Sequence, residues 1–182
     1  CLATPGAHPQ LSARAGGHDR PGPEAVRLLV LIPGRGQSRP GLWSALLVLQ
    51  EGFSAGSMLP AVKCALDRGW EVLVCNPNGV HDPSRRTAHV LGACDAARAA
   101  AGAPGRGRPV RLYAIAHSAG GSSALALVEH AMPDLCAVAF ADSMHKVNPC
   151  TTPGARRFLR ARAVDYVSGP APAGTVLHAR HG

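Results

Sequence analysis

Short, almost continuously apolar runs constrain the fold of this 182-residue chain more than any other feature. The clearest runs are residues 26–32, 110–116 and 135–141, and a shorter one spans residues 71–76. Each has the length of a strand, and a strand covered on both faces is apolar throughout. Helix-like segments separate the runs, so right-handed βαβ crossovers are expected. The pattern predicts an α/β fold, a mostly parallel sheet with helices on both faces.

The segments between the runs predict helices with recognisable ends. Ser57 is the predicted N-cap of one helix and Gly69 follows its end, while Asp82 and Pro83 open a longer helix. A last strand is predicted near residues 175–177, ending at His178. The predicted helices are residues 42–49, 57–68, 82–101 and 119–131, with a basic helix after Pro149.

The chain is predicted to hold one domain behind a leader. Residues 1–24 are rich in Gly, Pro, Ala and His without periodicity, as expected of a disordered or fragmentary leader. Residues 25–182 form the predicted domain. Because the chain begins at Cys1 and stops soon after His178, we expect a fragment truncated at its C-terminus, from which targeting cannot be read.

The formal charge of +8 would favour an acidic partner, but its arginines are spread along the whole chain. The densest group is Arg156, Arg157, Arg160 and Arg162, and a solvated helix face is its simplest interpretation. No helix-turn-helix, RNA-recognition module or zinc finger is recognisable. Direct binding of nucleic acid is therefore not expected.

Cysteine usage and hydropathy exclude several other classes of protein. The six cysteines include no C-x-x-C pair, so neither a zinc site nor a disulfide framework is predicted, and a reducing compartment is favoured. No apolar run approaches the roughly 20 residues of a membrane span. We expect neither a metal nor an organic cofactor.

Ser118 lies between the 110–116 run and a helix-forming segment. The sequence Ala116-His117-Ser118-Ala119-Gly120 is close to G-x-S-x-G, in which a sharp strand-to-helix turn exposes a serine nucleophile. Small residues are required on both sides of that turn, and alanine at the first position is a tolerable departure. The alternative is an ordinary βα turn with a small polar residue, because short motifs have many false matches.

Other chemically useful residues also follow predicted strands. These are Gly34–Gly36, Asn76, Ser118, Asp142 and His178. Reactive groups of open α/β sheets gather at the carboxyl ends of the strands, so these residues are expected to converge on one site.

The convergent residues fit acyl-transfer chemistry. Ser118 would attack, His178 would act as the base and Asp142 would orient the imidazole. His145 is a rival base, but its closeness to Asp142 in sequence favours a role as a neighbour of the site or a substrate contact. His178 could instead be an exposed loop histidine. Asp142 could instead cap a helix, and we expect His117 to be packed or capping.

An oxyanion hole is predicted from backbone amides. Ala119 would supply one amide, and the loop Gly34, Arg35 and Gly36 would supply another. A dinucleotide site is disfavoured, because this loop lacks a third glycine and Pro40 interrupts the expected helix.

Seven segments, in order and spacing, resemble the Arb-two domain family, which is named for an Argonaute-binding protein and includes cotranscriptional regulators. They are Ala116-His117-Ser118-Ala119-Gly120-Gly121, Ala141-Asp142-Ser143-Met144-His145 and residues 31–36, 41–43, 56–60, 74–78 and 173–178, and together they are more specific than the serine motif alone. The family often has histidine where this chain has Pro33.

The resemblance implies an α/β-hydrolase-like fold with Ser118, Asp142 and His178 in the same positions. It also implies a nuclear or cytoplasmic role in small-RNA silencing or splicing, through contact with Argonaute-type or other nuclear proteins. Two classes of function follow. The first is a serine hydrolase acting on a small acyl substrate such as a carboxylic ester, and the second is a non-catalytic interaction domain, since one fold hosts unrelated functions.

Overall fold

The computed structural model describes residues 25–36, 39–101, 108–130, 133–148, 151–172 and 174–176. Within them, five parallel strands form one sheet with the order β2-β1-β3-β4-β5. The strands are β1 Val26–Ile32, β2 Glu71–Val74, β3 Val110–His117, β4 Leu135–Ala141 and β5 Ala163–Tyr166. The α/β class predicted from the sequence is therefore confirmed. The predicted leader, residues 1–24, and His178 lie outside the described residues.

Six α-helices accompany the strands in this part of the chain. They are α1 Ala45–Glu51, α2 Phe53–Gly56, α3 Leu59–Leu66, α4 Arg86–Ala101, α5 Gly120–His130 and α6 Pro153–Arg162. Asp82 and Pro83 do open the predicted long helix, through a 3₁₀ turn over Pro83–Arg85 that leads into α4.

Strand β1 is an interior strand of the sheet, paired with β2 on one side and β3 on the other. Val30, Leu31 and Ile32 are completely buried, because helices cover both faces of the sheet there. The same environment explains why this run carries no polar alternation.

Helices lie on both faces because the chain changes direction across the sheet. From β1 it moves to one side to form β2, and from β2 it crosses back to form β3 and continues outward. Right-handed crossovers made in opposite directions place their helices on opposite faces. Helices α4, α5 and α6 accordingly pack on one face, around Leu127 and Phe140, and α3 packs on the other, around Met58.

Two of the predicted boundaries were wrong for local reasons. The helix predicted from residue 42 begins at Ala45, after Ser44 accepts a hydrogen bond from the Leu47 amide. Leu42 instead forms an isolated antiparallel bridge with Ser57. At this bridge the Trp43 amide donates to the Gly56 carbonyl and the Met58 amide donates to the Gly41 carbonyl, and α3 begins at Leu59, two residues later than predicted.

The last predicted strand was also wrong. Strand β5 is Ala163–Tyr166, directly after α6, whereas Thr175 and Val176 are not in a strand. The Thr175 amide instead donates to the Pro172 carbonyl oxygen at 3.1 Å in a turn. Strand β5 is a four-residue edge strand that is mostly exposed, so it has no apolar run by which sequence could reveal it.

The strand order 2-1-3-4-5 is shared by several doubly wound folds, so it establishes the class without singling out the hydrolase fold. Among the described helices, none combines the length and apolar character needed to cross a membrane.

Candidate active site

The site is a crevice at the carboxyl ends of β1 and β3. The chain leaves these neighbouring strands towards opposite edges of the sheet, and ligands of open α/β sheets bind at such a switch point. The loop after β1 touches the turn after β3: a Cβ atom added to Gly34 would lie 2.9 Å from the Cβ of Ser118. The fold therefore brings the predicted glycine loop and the predicted nucleophile into contact.

Ser118 has a left-handed backbone, with φ of 50°. For a residue other than glycine this conformation costs about 1–2 kcal/mol. Hydrogen bonds from two segments hold it. Its amide donates to the Ala141 carbonyl at 3.0 Å, and its carbonyl accepts from the amides of Gly121 at 3.1 Å and Met144 at 3.0 Å and from the Ser143 hydroxyl at 3.4 Å.

The Ser118 side chain is left unengaged by this arrangement. Its hydroxyl makes no hydrogen bond to any described residue, and the side chain is only half-buried. A serine with a fixed backbone and a free hydroxyl has the geometry expected of a nucleophile elbow.

The small residues around the turn are required by its close packing. A Cβ atom on Gly120 would lie 2.6 Å from the Pro33 carbonyl oxygen, and one on Gly121 would lie 1.7 Å from the Ser143 hydroxyl oxygen. Ala116 is fully buried in β3, where its methyl group is accommodated. Alanine in place of the first glycine is therefore compatible with the turn.

Asp142 follows β4 and is also left-handed, with φ of 47°. Its amide donates to the Tyr166 carbonyl at 2.7 Å, and its Oδ1 accepts from the Ser168 hydroxyl at 2.8 Å and the Ser168 amide at 3.3 Å. These hydrogen bonds, with a smaller contribution from His117, lower the pKa of the exposed Asp142 carboxyl group. The alternative of a helix cap is wrong, because α6 begins at Pro153 with Thr152 as its cap.

His117 is packed, as expected from the sequence. Its ring lies edge-on to Trp43 with the centroids 6.2 Å apart, and its Nδ1 is buried without a hydrogen-bond partner among the described residues. Burial lowers the pKa of His117, against the opposing effects of the Asp142 charge and the Trp43 backbone. The neutral imidazole is therefore favoured at pH 7.

His145 contacts the elbow indirectly. Its Nδ1 is 2.9 Å from the Ser143 hydroxyl oxygen, and its ring stacks on Phe140 with the centroids 3.9 Å apart. Since Ser143 contacts the Ser118 carbonyl, His145 supports the backbone of the nucleophile. None of its described contacts reaches the Ser118 hydroxyl, as a base would require.

A turn after β2 contacts the predicted oxyanion loop and stabilises it. Asn78 Nδ2 donates to the Gly34 carbonyl at 3.0 Å, and Asn76 caps the same turn by accepting from the Gly79 amide at 3.2 Å. Asn76 thus shapes the turn that supports the loop. The amides of Ala119 and Arg35 donate to no acceptor among the described residues, so both are available as donors.

Gly36 has a φ of 133°, which favours glycine, and a Cβ atom added there would have no described neighbour within 4 Å beyond the adjacent residues. The fold brings Gly34, Ser118 and Ala119 together and places Asp142 beside the strand end that leads to Ser118. The predicted base, His178, lies outside the described residues. Among those residues, no group of three or more ligating side chains could hold a metal ion.

Sequence reasoning missed three supporting residues. Ser143 holds the Ser118 carbonyl, Ser168 holds the Asp142 carboxylate, and Asn78 holds the glycine loop. Ser143 and Asn78 do lie inside segments that resemble the Arb-two family, which was the only signal for them. Ser168 follows the unrecognised strand β5, so no signal marked it.

Curated proteins of similar sequence match part of the chain. The cotranscriptional regulator ARB2A of Mus musculus is 42% identical over 52 residues, which are 29% of this chain and 12% of that protein. An ARB2A homolog of Xenopus tropicalis matches to the same extent, with 42% identity over 52 residues. A FAM172 family protein homolog of Caenorhabditis elegans is 38% identical over 55 residues, which are 30% of this chain and 18% of that protein.

The match spans less than a fifth of the length of these relatives. No family model and no solved structure matches the chain. The partial similarity to ARB2A and FAM172 proteins supports the resemblance of this chain to the Arb-two family.

Proposed function

We propose that this domain is a serine hydrolase that acts on a carboxylic ester or a related acyl bond, with Ser118 as the nucleophile. The observation that carries the proposal is the strained backbone of Ser118 at the switch point of the sheet, with φ of 50° and a hydroxyl that bonds to no described residue. Strain of this kind persists only where the surroundings over-determine it, and it is concentrated at functional sites.

The proposed mechanism uses the residues predicted from the sequence. The Ser118 hydroxyl attacks the acyl carbon while His178 takes its proton, and Asp142 orients the imidazole and stabilises its protonated form. The amides of Ala119 and of the loop 34–36 stabilise the oxyanion of the tetrahedral intermediate. His178 then returns the proton to the leaving oxygen, and water releases the acyl group by the same steps.

Two features of the described residues support these roles. The hydrogen bonds from Ser168 favour the ionised carboxylate of Asp142, which is the form that can orient an imidazole. The Ala119 amide has no acceptor among the described residues, so a substrate oxygen would displace no existing bond.

Hydrolysis of 4-nitrophenyl butyrate by the full chain tests the proposal. We expect Ser118→Ala to lower kcat by several orders of magnitude, as loss of a nucleophile does in serine proteases. Ser54→Ala is the matched control, because Ser54 is an exposed serine of α2 outside the site, and it should keep its activity. Equal activity of the two variants would rule out Ser118 as the nucleophile.

The base is tested separately. His178→Ala should lower kcat about as strongly as Ser118→Ala, whereas His145→Ala should act more weakly, through the backbone of the elbow. If His145→Ala abolishes turnover and His178→Ala does not, the base is assigned to the wrong histidine.

A second candidate function is a non-catalytic interaction domain for cotranscriptional regulation or small-RNA silencing, inside the nucleus or cytoplasm. It is favoured by the names of the similar proteins, several of which are called cotranscriptional regulators. Its partners would be Argonaute-type or other nuclear proteins. Reconstitution with a purified Argonaute-type protein tests this candidate: an interaction that Ser118→Ala leaves unchanged, in a chain without esterase activity, favours the interaction domain.

A further inference from the structure

A small cleft lies beside the elbow, on the side of α4 and α5. Its volume is about 50 Å³, and its walls are the loop after β1, the turn after β2, and the first residues of α4 and α5. About 10–15 Å³ of such volume holds one water molecule. The cleft is therefore large enough for one small polar group of a ligand, in the same crevice as the Ser118 turn.

The charged side chains that line the cleft are both positive. Arg35 reaches it from the loop after β1 and Arg86 from the start of α4, and no carboxylate belongs to its described lining. Asp82, the acid nearest in sequence, is held by the Ser84 hydroxyl at 2.7 Å and the Ser84 amide at 2.9 Å. Neither arginine forms an ion pair with a described residue.

Arg86 is held in place without being neutralised. Its Nε donates to the Val80 carbonyl at 3.3 Å, which fixes the stem and leaves the two Nη groups without a described partner. A guanidinium held in this way is pre-organised for a planar oxyanion, which it can bind with two parallel hydrogen bonds.

Hydroxyl groups complete the lining of the cleft. Thr87 and Ser123, which both line it, are bonded to one another at 3.1 Å, and this bond joins α4 to α5. Ser122, also in the lining, is exposed and makes no described hydrogen bond. It is a further donor for an anion.

We propose that this cleft binds an oxyanionic group, a carboxylate or a phosphate, carried by the substrate whose acyl bond Ser118 attacks. This inference rests on the proposed function for the identity of the ligand, although anion binding itself does not require catalysis. Arg35 and Arg86 would bind the anion, and the Ala119 amide beside the cleft would receive the acyl oxygen. The enzyme would thereby select acidic esters over neutral ones.

Titration of the full chain with sodium phosphate and, separately, sodium acetate tests anion binding without turnover. At constant ionic strength, the amide resonances of Ala119 and Gly120 should shift saturably with at least one of the two anions. Arg35→Gln and Arg86→Gln should each weaken binding about tenfold, the loss expected for one charge-assisted hydrogen bond. Whichever anion binds more tightly identifies the chemistry of the group.

Matched variants separate binding from folding. Arg157→Gln removes an exposed arginine of α6, outside the cleft, and should leave the anion affinity unchanged. Arg35 is exposed and its side chain makes no described hydrogen bond, so Arg35→Gln should fold normally even if Arg86→Gln does not. Unchanged affinity in a folded Arg35→Gln, Arg86→Lys double variant would overturn the proposed site.

Kinetics separate failure of this inference from failure of the proposed function. Arg35→Gln should lower kcat/KM for the hemisuccinate ester of 4-nitrophenol about tenfold relative to kcat/KM for the neutral butyrate ester. If both esters are hydrolysed but neither phosphate nor acetate binds, the proposed anion site is overturned and the proposed hydrolase activity stands. Anion binding that depends on Arg35, in a chain that hydrolyses neither ester, supports the site and ends the hydrolase proposal.

Discussion

The two ends of strands β3 and β4 are built differently. At the carboxyl end, Ser118 and Asp142 both have left-handed backbones, and glycines allow neighbouring segments to approach within contact distance. At the amino end, ordinary helix termini and turns are joined by charged side chains. The carboxyl end therefore holds the candidate site, whereas the amino end has a structural role only.

The amino end is closed by a network of four side chains. His130 Nε2 is 2.7 Å from Asp95 Oδ2, and Arg98 bonds Asp95 Oδ1 at 3.2 Å and also pairs with Asp134. The hydrogen bond from His130 is the main cause that lowers the pKa of Asp95, with a smaller contribution from Arg98. These groups are partly exposed, and exposed pairs contribute about 0–1 kcal/mol each.

The difference shows where this fold tolerates change. Replacing one exposed charged side chain lowers the free energy of unfolding only slightly. Adding an atom to a strained turn that packs against a neighbouring strand lowers it much more. The carboxyl end should therefore dominate the response to substitution, although it holds fewer ionic contacts.

The largest effect is expected for Gly120→Ala. Its Cβ atom would lie 2.6 Å from the Pro33 carbonyl oxygen and 2.8 Å from that of Ile32, and these backbone atoms cannot move without disturbing β1. We expect a loss of about 3 kcal/mol in the free energy of unfolding, measured with urea. Gly92→Ala is the control, because nothing lies near that helical position, and it should stabilise α4 by about 1 kcal/mol. Similar stabilities of the two variants would refute close packing at the elbow.

The next effect has the opposite sign. Ser118→Gly removes the side chain that strains the left-handed backbone, so the free energy of unfolding should rise by about 1 kcal/mol. The same variant should lose all esterase activity. Higher stability together with lost activity is expected if the strained backbone is present because the Ser118 hydroxyl is needed for function. A destabilised Ser118→Gly variant contradicts that interpretation.

A smaller loss is expected at the amino end. Arg98→Ala removes the contacts to Asp95 and Asp134 and should cost about 1 kcal/mol, less at high salt because exposed charges are screened. Urea unfolding at low and high ionic strength measures it. A salt-independent loss as large as that of Gly120→Ala would reverse the contrast between the two ends.

The smallest effect is a change in pH dependence. Burial lowers the pKa of His117 below its ordinary value of 6.5, so the unfolded chain binds more protons than the folded one just below that pH. The contribution of His117 to the free energy of unfolding has its full value above pH 6.5. It is lost as the pH falls through the pKa of His117 in the folded state. His117→Gln should flatten the stability curve in that window. The stability that depends on Asp95 should be lost only at more acidic pH, because its pKa is also lowered but starts from 3.8.

Much of the fold could be predicted because the central strands are apolar throughout. Strand β1 and most of β3 and β4 were found at their observed positions, since burial on both faces leaves an unbroken signal. Strand β5 was missed, because an exposed edge strand of four residues carries almost no signal. His178 was predicted as the base because it follows the strand predicted near residues 175–177. Residues 175 and 176 do not form a strand, so His178 remains a prediction without that support.

The candidate site could be predicted only in part. The strand-to-helix motif revealed Ser118 and Gly120, since small residues on both sides of a turn serine are a local pattern. The supports Ser143 and Ser168 depend on hydrogen bonds between segments 25 or more residues apart in the chain. Such pairings follow from the order of strands in the sheet, which no local pattern encodes.

The most direct test of the account is to map the adduct of a fluorophosphonate probe on the full chain by mass spectrometry. We expect one phosphonylated residue, Ser118, with the adduct absent from Ser118→Ala and retained in Ser54→Ala, which changes an exposed serine of α2. A folded chain that stays unmodified, or an adduct on a different serine, would contradict the claim that the strained turn presents a nucleophile.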